Sequence, residues 1–267
     1  MTSSTIALIG AGHMGSALAA GWQNQKSKLD VALIDPKPSA LALAIAEDGN
    51  MSVNPPAHHV DVVVIAVKPQ IFETVAADIK AWIGPNTLVL SIMAGIRLKH
   101  LAHSLDTENV LRAMPNTPGA IGCGITAVCA PQDMPDATVD SGVKLLEPLG
   151  HVVGPVPEAQ MSTITGVSGS GPAYVFLLAE ALASAGEAEG LPPELAQTLA
   201  RETLIGAACL LDDSGLPPET LRKNVTSKHG TTEAALDILM RGDGIPSLIR
   251  EAVRAAANRE RALSDES

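Results

Sequence analysis

A glycine-rich turn near the beginning of the chain constrains the fold more than any other feature of the sequence. The letters GAGHMG at 10–15 stand between an apolar, strand-like segment at 5–9 and a segment at 14–25 with the pattern of a helix. A GxGxxG sequence in this strand–turn–helix context is typical of the first βαβ unit of a doubly wound sheet. Such a turn suits the pyrophosphate of a dinucleotide.

Each glycine of the turn has a separate predicted role. Gly10 permits the tight turn, Gly12 lets the backbone approach a pyrophosphate, and Gly15 lets the helix pack closely against the strand. His13 and Met14 complete the turn, where free N–H groups at the start of the helix attract phosphate oxygens. We therefore predict that these five residues bind the dinucleotide.

The rest of the first half alternates strand-like with helix-like segments. Strands are predicted at 31–34, 60–67, 87–91, 110–114, 125–129 and 151–153, and helices at 39–47, capped by Ser39, and at 71–82. Strands that alternate with helices form βαβ units and a parallel sheet. We therefore predict an α/β fold with a Rossmann dinucleotide-binding domain over 1–157.

After residue 157 the strands give way to long helical segments. Helices are predicted at 172–187, 192–212, 231–240 and 245–263. The segment 173–185 is apolar nearly all round, so it must be buried on every side. A small helical region has difficulty burying such a helix alone. We therefore predict that 158–267 is an all-helical dimerisation domain that buries apolar surface against a second copy of the chain.

Composition and charge exclude two classes of partner. The net charge is −11 and only 2% of the residues are aromatic. A nucleic-acid backbone would therefore be repelled, and bases would find few rings on which to stack. The longest apolar runs are too short or too interrupted to span a bilayer. We expect a small-molecule substrate, with no nucleic-acid partner and no membrane partner.

Cysteine and histidine spacings indicate a reduced protein without a metal. Cys123, Cys129 and Cys209 form no CxxC pair, so reduced thiols are expected instead of disulfides. The seven histidines lack the spacing of metal ligands. The first residues lack the basic start of a signal peptide. The expectation is a cytoplasmic protein with no bound metal.

The residue at the end of the second predicted strand bears on which dinucleotide binds. Asp35 at this position would accept hydrogen bonds from the adenosine ribose hydroxyls and repel a 2′-phosphate. Pro36 cannot clamp a phosphate, although Lys37 is close. This chemistry favours NADH or tolerance of both dinucleotides. A solvent-facing Asp35 that caps the turn is the alternative interpretation.

Four further segments narrow the class of protein. The letters AVKPQ at 66–70 close the third strand, RAMPNTP at 112–118 follow the fifth, GSGPAY at 169–174 opens the helical half, and VTSKHGTT stands at 225–232. Together with the first turn, in this order and at this spacing, they resemble the pyrroline-5-carboxylate reductase family. The resemblance covers essentially the whole chain.

The resemblance implies a Rossmann domain followed by a helical dimerisation domain whose helices interleave between two subunits. In some members the dimers associate further into rings of five. It implies an NAD(P)H-dependent oxidoreductase that acts on an imine bond, reducing the C=N bond of L-1-pyrroline-5-carboxylate to L-proline in the last step of proline synthesis. It also implies NADPH as the default cofactor, whereas Asp35 makes NADH the alternative.

The resemblance further implies the site residues. Those near the nicotinamide end are Val67, Lys68, Pro69 and Asn116. Those that hold the substrate carboxylate are Ser227, Gly230, Thr231 and Thr232. Thr232, placed near the ring nitrogen, is the expected catalytic residue.

The residues of the last segment have the chemistry of a carboxylate site even without the resemblance. Gly230, Thr231 and Thr232 lead into a predicted helix whose free N–H groups and dipole suit an anion, and an ordinary Ser/Thr N-cap is the alternative. The family's loop commonly reads TSPGGTT, and here Lys228 and His229 take the Pro and Gly positions. Lys228 adds a positive charge. His229 must adopt a usual φ or accept strain at φ > 0.

Other functions compete with this interpretation. A β-hydroxyacid dehydrogenase also combines such a turn with a helical second domain, but it relies on a lysine in the first helix of that domain. No lysine occurs between Lys144 and Lys223, which removes this alternative. A dinucleotide-binding regulatory protein without catalysis and a reductase of a related cyclic imine stay as alternatives.

Overall fold

The computed structural model describes residues 4–24, 29–49 and 51–266. The chain divides into two compact units, each of which is described by itself. One comprises Met1–Ser170 with Ala255–Ser267 and is called the sheet unit below. The other, Gly171–Arg254, is called the helical unit.

The sheet unit is built on eight strands among the described residues. They are β1 (Ser4–Ile9), β2 (Leu29–Ile34), β3 (Ser52–Val53), β4 (Val60–Ile65), β5 (Ile83–Ser91), β6 (Val110–Met114), β7 (Gly124–Cys129) and β8 (Gly150–Val153). Their order is β3-β2-β1-β4-β5-β6-β7-β8. All neighbours are parallel except β6 and β7, which are antiparallel. The first six have the order of dinucleotide-binding folds, so the predicted α/β class is confirmed.

Eleven α-helices lie in the described part of the chain. They are α1 (His13–Asn24), α2 (Ala40–Asp48), α3 (Phe72–Lys80), α4 (Leu98–Leu105), α5 (Asp136–Leu146), α6 (Met161–Ile164), α7 (Gly171–Ala188), α8 (Pro193–Ser214), α9 (Pro218–Asn224), α10 (Thr231–Leu239) and α11 (Ile245–Glu266). Ser39 caps α2 as predicted, because its hydroxyl accepts from the Ala42 N–H at 3.1 Å. The predicted end of the first helix at Gln25 lies outside the described residues. The sequence predicts no element where β3, α4, α5, α6 and α9 lie.

Alternating side chains of the central strands build a separate core on each face of the sheet. In β1, Ile6 and Leu8 join the core that packs α1 and α5, whereas Ala7 and Ile9 join the core that packs α3 and α4. From Val62 to Ile65 the side chains of β4 alternate in the same way, as a parallel strand buried on both faces requires. The sheet is therefore doubly wound, and the carboxyl ends of β1, β2 and β4 meet at one edge.

A buried ion pair joins the last helix to the sheet unit. Arg112 of β6 and Glu260 of α11 are both buried, and their Nη2 and Oε1 atoms are 2.6 Å apart. Glu158 lies 3.6 Å from the same guanidinium, and the Ser162 hydroxyl donates to Glu260. Residues 158–170 therefore pack with the sheet unit. The boundary after Ser170 separates units by their contacts and does not test the domain boundary predicted at 157/158, which stays a prediction.

The helical unit leaves much apolar surface uncovered within one chain. Of the described residues of α7, only Ala183 is buried, whereas Phe176 is 61% exposed and Leu177 is 63% exposed. The expectation that 173–185 is buried on every side is therefore not met within a single chain. The physical reason is that α7 packs against α8, as at Gly186 and Ala196, and α8 covers one side of it alone. None of the described helices is long and apolar enough to cross a membrane.

Candidate active site

The glycine-rich turn joins β1 to α1 at the carboxyl edge of the sheet. Gly10 has φ 98°, in the left-handed region that favours glycine, and its N–H donates to the Ile34 carbonyl at 2.8 Å. A Cβ at Gly10 would stand 2.9 Å from the Ala66 carbonyl, and a Cβ at Gly15 would overlap the Gly10 carbonyl oxygen. Both positions therefore require glycine for packing within the protein.

Gly12 differs from the other two glycines of the turn. It is exposed, and a Cβ built on it would meet no atom within 4 Å. Glycine at this position is therefore not required by the protein's own packing. The open space beside Gly12 and the first N–H groups of α1 form a cradle that fits a dinucleotide pyrophosphate.

A cavity of about 600 Å³ extends from this turn along the carboxyl edge of the sheet. The candidate cofactor residues that line it are Gly10, Gly12, Asp35, Val67 and Lys68. Its lining also includes the apolar residues Ile71, Val75, Ile79 and Trp82. The volume is typical of a small-molecule site, and apolar lining beside a phosphate cradle suits a flat ring such as adenine.

Five other candidate cofactor residues, Gly15 among them, lie outside the lining of this cavity. His13 is the first residue of α1 and is exposed, whereas Met14 is partly buried against the core. Pro69 begins a short 3₁₀ turn after Lys68. Asn116 uses its side chain within the protein, because its Oδ1 accepts from the Ile125 N–H at 3.0 Å and its Nδ2 donates to the Ser168 carbonyl at 3.2 Å.

The bond from Asn116 reaches a stretch of π-helix at Thr165–Gly169. Such stretches leave carbonyl groups without the usual intrahelical donor and often occur at functional sites. The side chain of Asn116 therefore orients the backbone that precedes the GSGPAY segment. Asn116 fixes local structure, and a contact with the cofactor stays a prediction.

Asp35 is held at the end of β2 by hydrogen bonds that the sequence did not reveal. Its Oδ2 accepts from the Ala11 N–H and its Oδ1 from the Lys37 N–H, each at 2.8 Å. Asn54, just after β3, accepts from the Asp35 N–H through Oδ1 at 3.0 Å and donates to the Asp35 carbonyl through Nδ2 at 2.9 Å. Asp35 therefore caps the turn, as the alternative interpretation expected, and it also lines the cavity.

Asn54 is a residue that sequence reasoning missed. It has φ 49°, which asparagine tolerates better than most residues. The letters Asn54-Pro55 are a turn signal, and this signal would have drawn attention to the position. Its partner Asp35 is 19 residues away in sequence, so the pairing itself was not visible.

In the helical unit, the candidate carboxylate loop joins α9 to α10. The Gly230 N–H donates to the Ser227 carbonyl at 3.0 Å, which closes a tight turn around Lys228 and His229. His229 has φ 59°, so of the two expected outcomes it accepts strain at φ > 0 and does not adopt a usual φ. For a residue with a side chain this conformation costs about 1–2 kcal/mol.

The start of α10 has a different cap from the one expected of an ordinary helix. Gly230 is the N-cap and has no side chain to bond, so the alternative of a Ser/Thr N-cap is wrong. Within the described chain, the hydroxyls of Ser227, Thr231 and Thr232 have no protein hydrogen-bond partner. The first N–H groups of a helix have no intrahelical partner. Together with these hydroxyls, they are a set of donors that suits a carboxylate.

Glu233 supports this loop and was also missed. Its Oε2 accepts from the His229 N–H at 2.6 Å. A carboxylate three residues after an N-cap is placed to reach back to a backbone N–H near the cap, as in half of a capping box, and this spacing from Gly230 would have drawn attention to it. The bond offsets part of the cost of the left-handed backbone at His229.

Other reactive groups form no competing catalytic centre. Ser104, His100 and Glu73 lie together, but the serine Oγ at 3.4 Å and the carboxylate at 2.5 Å both face His100 Nε2. A nucleophilic triad needs them on opposite ring nitrogens. The hydrogen bond from His100 lowers the pKa of Glu73. Burial raises the pKa of the Cys129 thiol to about 11, so this thiol is a poor nucleophile. No cluster of potential metal ligands occurs in the described part of the chain.

The strand order, the turn and the cavity together define a nicotinamide dinucleotide oxidoreductase of the Rossmann class. Residues 158–263 match a family model described as pyrroline-5-carboxylate reductase dimerisation, and residues 5–95 match one described as NADP oxidoreductase, coenzyme F420-dependent. The pyrroline-5-carboxylate reductase of Synechocystis sp. is 41% identical over 204 residues, which are 76% of this chain and 75% of that protein. The chain belongs to the pyrroline-5-carboxylate reductase family.

Solved structures agree with this family and with the resemblance seen in the sequence. A pyrroline-5-carboxylate reductase from Coxiella burnetii has a TM-score of 0.90 at 30% identity, covering 98% of this chain and 99% of that one. Plasmodium falciparum pyrroline carboxylate reductase, solved with NADP bound, has a TM-score of 0.83 at 28% identity and covers 99% of each chain. The expected family and class of enzyme are therefore confirmed.

Proposed function

We propose that the chain reduces the C=N bond of L-1-pyrroline-5-carboxylate to L-proline, with NADPH or NADH as the reductant. The observation that carries the proposal is the loop 225–232, which ends in a glycine-capped helix with free hydroxyls beside its free N–H groups. Such a donor set suits an anionic substrate. It occurs in a chain whose relatives are named for this reaction.

The sheet unit binds the dinucleotide in this proposal. Backbone N–H groups of Gly12, His13 and Met14 and the open face of Gly12 receive the pyrophosphate, while Gly10 and Gly15 allow the tight turn and the close packing behind it. Val67, Lys68, Pro69 and Asn116 are assigned to the nicotinamide side. The bound cofactor supplies the hydride.

The helical unit binds the substrate carboxylate. Hydroxyls of Ser227, Thr231 and Thr232 donate to its oxygens, together with the N–H groups of Thr231 and Thr232, and Gly230 as the N-cap leaves the approach open. Lys228 adds a positive charge to the loop. The polar donors point at one anion, so they fix the orientation of a ring that is otherwise apolar and small.

The proton chemistry needs no strong acid from the protein. A cyclic imine accepts hydride well once its nitrogen is protonated, and this nitrogen takes its proton from water. Thr232 is assigned to orient this nitrogen through its hydroxyl or to pass on a proton from water. Alignment of the reacting atoms at about 3–3.5 Å is then the main contribution of the protein.

A homodimer is part of the proposal, since the helical unit needs a second copy to cover its apolar surface. Phe176 and Leu177 are exposed on α7, and many aliphatic side chains of α8 are exposed as well. Light scattering should give about twice the chain mass of 27.4 kDa. Phe176→Glu should give a monomer, whereas Leu41→Glu, at an equally exposed site on α2, should not. A monomeric unmodified chain at micromolar concentration would exclude the dimer.

Three smaller assignments accompany the dimer. Association of dimers into larger rings is suggested by the resemblance alone. A cytoplasmic location is supported by three free cysteines, Cys123, Cys129 and Cys209. No metal takes part in the proposed reaction.

The decisive experiment follows the absorbance of NADPH and of NADH when L-1-pyrroline-5-carboxylate is added. We expect oxidation of the cofactor and formation of L-proline. A larger cyclic imine serves as the control and should react more slowly. Binding of a dinucleotide without any oxidation would favour the regulatory alternative, and faster turnover of the larger ring would favour a related imine reductase.

A further inference from the structure

We propose that this chain selects NADH over NADPH through Asp35, and that Asn54 is the residue that positions Asp35 for this selection. The inference rests on the proposed function only in that a nicotinamide dinucleotide is the bound cofactor. It concerns the adenosine end of the cofactor, whereas the proposed reaction concerns the nicotinamide end.

The carboxylate of Asp35 is fixed in place. Each of its oxygens accepts one backbone N–H, from Ala11 and from Lys37, at 2.8 Å. Hydrogen bonds to an ionised acceptor are about twice as strong as neutral ones. Rotation of the side chain away from the turn would break both bonds, so the negative charge stays at the end of β2 and on the wall of the cavity.

These same bonds remove the donors that a second phosphate would need. Anion sites at strand–turn–helix junctions depend on free backbone N–H groups. Here the Ala11 N–H in the turn after β1 and the Lys37 N–H after β2 are already occupied by the Asp35 carboxylate. A 2′-phosphate would therefore meet a negative charge where it requires donors.

A ribose with a free 2′-hydroxyl meets the opposite situation. Each carboxylate oxygen of Asp35 has a further lone pair, and ribose hydroxyls are donors. The same group that repels a 2′-phosphate therefore binds the diol of NADH. Asp78 also lines this cavity and adds to its negative charge. Lys68 is the cation of the lining, and the proposal assigns it to the nicotinamide side.

Asn54 sets the direction of Asp35 through the backbone. Its side chain makes a two-way pair with the Asp35 N–H and carbonyl, and its own N–H donates to the Leu33 carbonyl at 2.9 Å. The end of β3 is thereby locked to the end of β2. The backbone of Asn54 is in the left-handed region at φ 49°, a conformation that persists when surrounding bonds hold it.

The selection lies in these residues and not in the fold. The Plasmodium falciparum relative has the same fold and was solved with NADP bound. A Rossmann sheet of this family therefore admits the phosphorylated cofactor. In this chain the end of β2 carries an acidic side chain, with both oxygens held by backbone donors.

The first test measures binding to the full chain without any imine. Calorimetric titration with ADP-ribose and with 2′-phospho-ADP-ribose isolates the adenosine end of the two cofactors. We expect ADP-ribose to bind at least about tenfold more tightly, the effect of one like charge at close range under partial screening. Equal affinities, or tighter binding of the phosphorylated probe, would overturn the proposal.

Substitution then assigns the effect to Asp35. Asp35→Asn should reduce the preference for ADP-ribose to about threefold or less, because the repulsion disappears while the shape is kept. Asp30→Asn changes the same charge on the same strand at an exposed position, and it should leave the preference unaltered. A preference that survives in Asp35→Asn contradicts the assignment.

Asn54→Gly tests the positioning role. Glycine keeps the left-handed backbone and removes the carboxamide. We expect the ratio of KM values for NADPH and NADH to fall toward one, with kcat at saturating NADH and the melting temperature little changed. An unchanged ratio would refute the role of Asn54, and a lowered melting temperature at an unchanged ratio would show a structural role alone.

Failure of this inference is distinguishable from failure of the proposed function. Selective binding of ADP-ribose by a chain that does not oxidise NADH with pyrroline-5-carboxylate would refute the reaction and support the selection. Rapid turnover with NADPH in preference to NADH would support the reaction and overturn the selection.

Discussion

Two loops of this chain lead into helices and present backbone N–H groups. Each contains a residue with left-handed backbone, but different features stabilise the two loops. In the turn at 10–15, the left-handed residue is Gly10 and close packing excludes a side chain at Gly15. In the loop at 225–232, the left-handed residue is His229, whose N–H is held by the Glu233 carboxylate. The first loop is shaped by missing side chains and the second by a charged one.

The difference explains why one loop has a recognisable sequence and the other departs from its family's pattern. A steric requirement tolerates only glycine, and in the first turn this requirement acts at Gly10 and Gly15. A hydrogen bond to a charged group contributes about 1.5–3 kcal/mol, which offsets a left-handed penalty of about 1–2 kcal/mol. The replacement of Pro and Gly by Lys228 and His229 is therefore compatible with an intact loop.

The largest effect is expected in the glycine turn. Gly15→Ala should lower stability by about 2–3 kcal/mol, because its Cβ overlaps the Gly10 carbonyl. Gly12→Ala should leave the melting temperature unchanged, since nothing lies within 4 Å of its Cβ, and should weaken dinucleotide binding roughly ten- to hundredfold. Thermal melts and titrations on both variants check this. Equal losses of stability would show that Gly12 serves packing and not the ligand.

The next effect concerns the free hydroxyls of the second loop. Thr232→Ala should lower kcat by roughly ten- to a hundredfold while dinucleotide affinity is unchanged. Thr232→Ser keeps the hydroxyl and should retain most of the turnover. Steady-state kinetics with a separate binding titration distinguish these results. Turnover of Thr232→Ala at the level of the unmodified chain would refute the role of Thr232.

A smaller effect is expected when the support of His229 is removed. Glu233→Ala should raise the KM for the imine substrate by roughly three- to tenfold with a smaller change in kcat, since one charge-assisted hydrogen bond is lost. Asp237→Ala removes the same charge from an exposed position one turn later on α10 and should have no such effect. If both variants change the KM equally, the loss of a negative charge explains the effect. The hydrogen bond from the His229 N–H to Glu233 would then not be what supports the second loop.

The smallest effect is expected for His229→Gly, which makes the second loop resemble the first. Relief of the left-handed penalty is opposed by the greater freedom of glycine in the unfolded chain, so stability should change by less than about 1 kcal/mol. The KM for the substrate should change less than about threefold. Denaturation and kinetics measure both. A large loss of stability would mean that the histidine side chain holds the loop.

The sequence predicted those features that follow from local sterics and periodicity. The glycine turn, the Ser39 cap and the strands of the first half depend on neighbours in the chain, and each is visible as a short pattern. The antiparallel direction of β7 was not predicted, because an apolar run does not encode the direction of a strand.

The parts of the candidate site that were missed depend on contacts distant in sequence. The pair Asp35–Asn54 joins the ends of two strands, and the carboxamide of Asn116 reaches a carbonyl 52 residues away. No local pattern reports such bonds. Glu233 is the exception, since its spacing from Gly230 is a capping signal that could have been used.

The buried pair between Arg112 and Glu260 has a consequence for the order in which the protein is made. The sheet unit is discontinuous, because the chain leaves it after Ser170 and returns to it at Ala255. Arg112 therefore emerges from the ribosome well before Glu260, its partner 148 residues later. Until then Arg112 has, among the described residues, only the more distant Glu158 as a carboxylate partner, and removal of one partner from a buried pair costs about 3–5 kcal/mol. The cofactor-binding half, although encoded first, completes its interior only when the last helix has been synthesised.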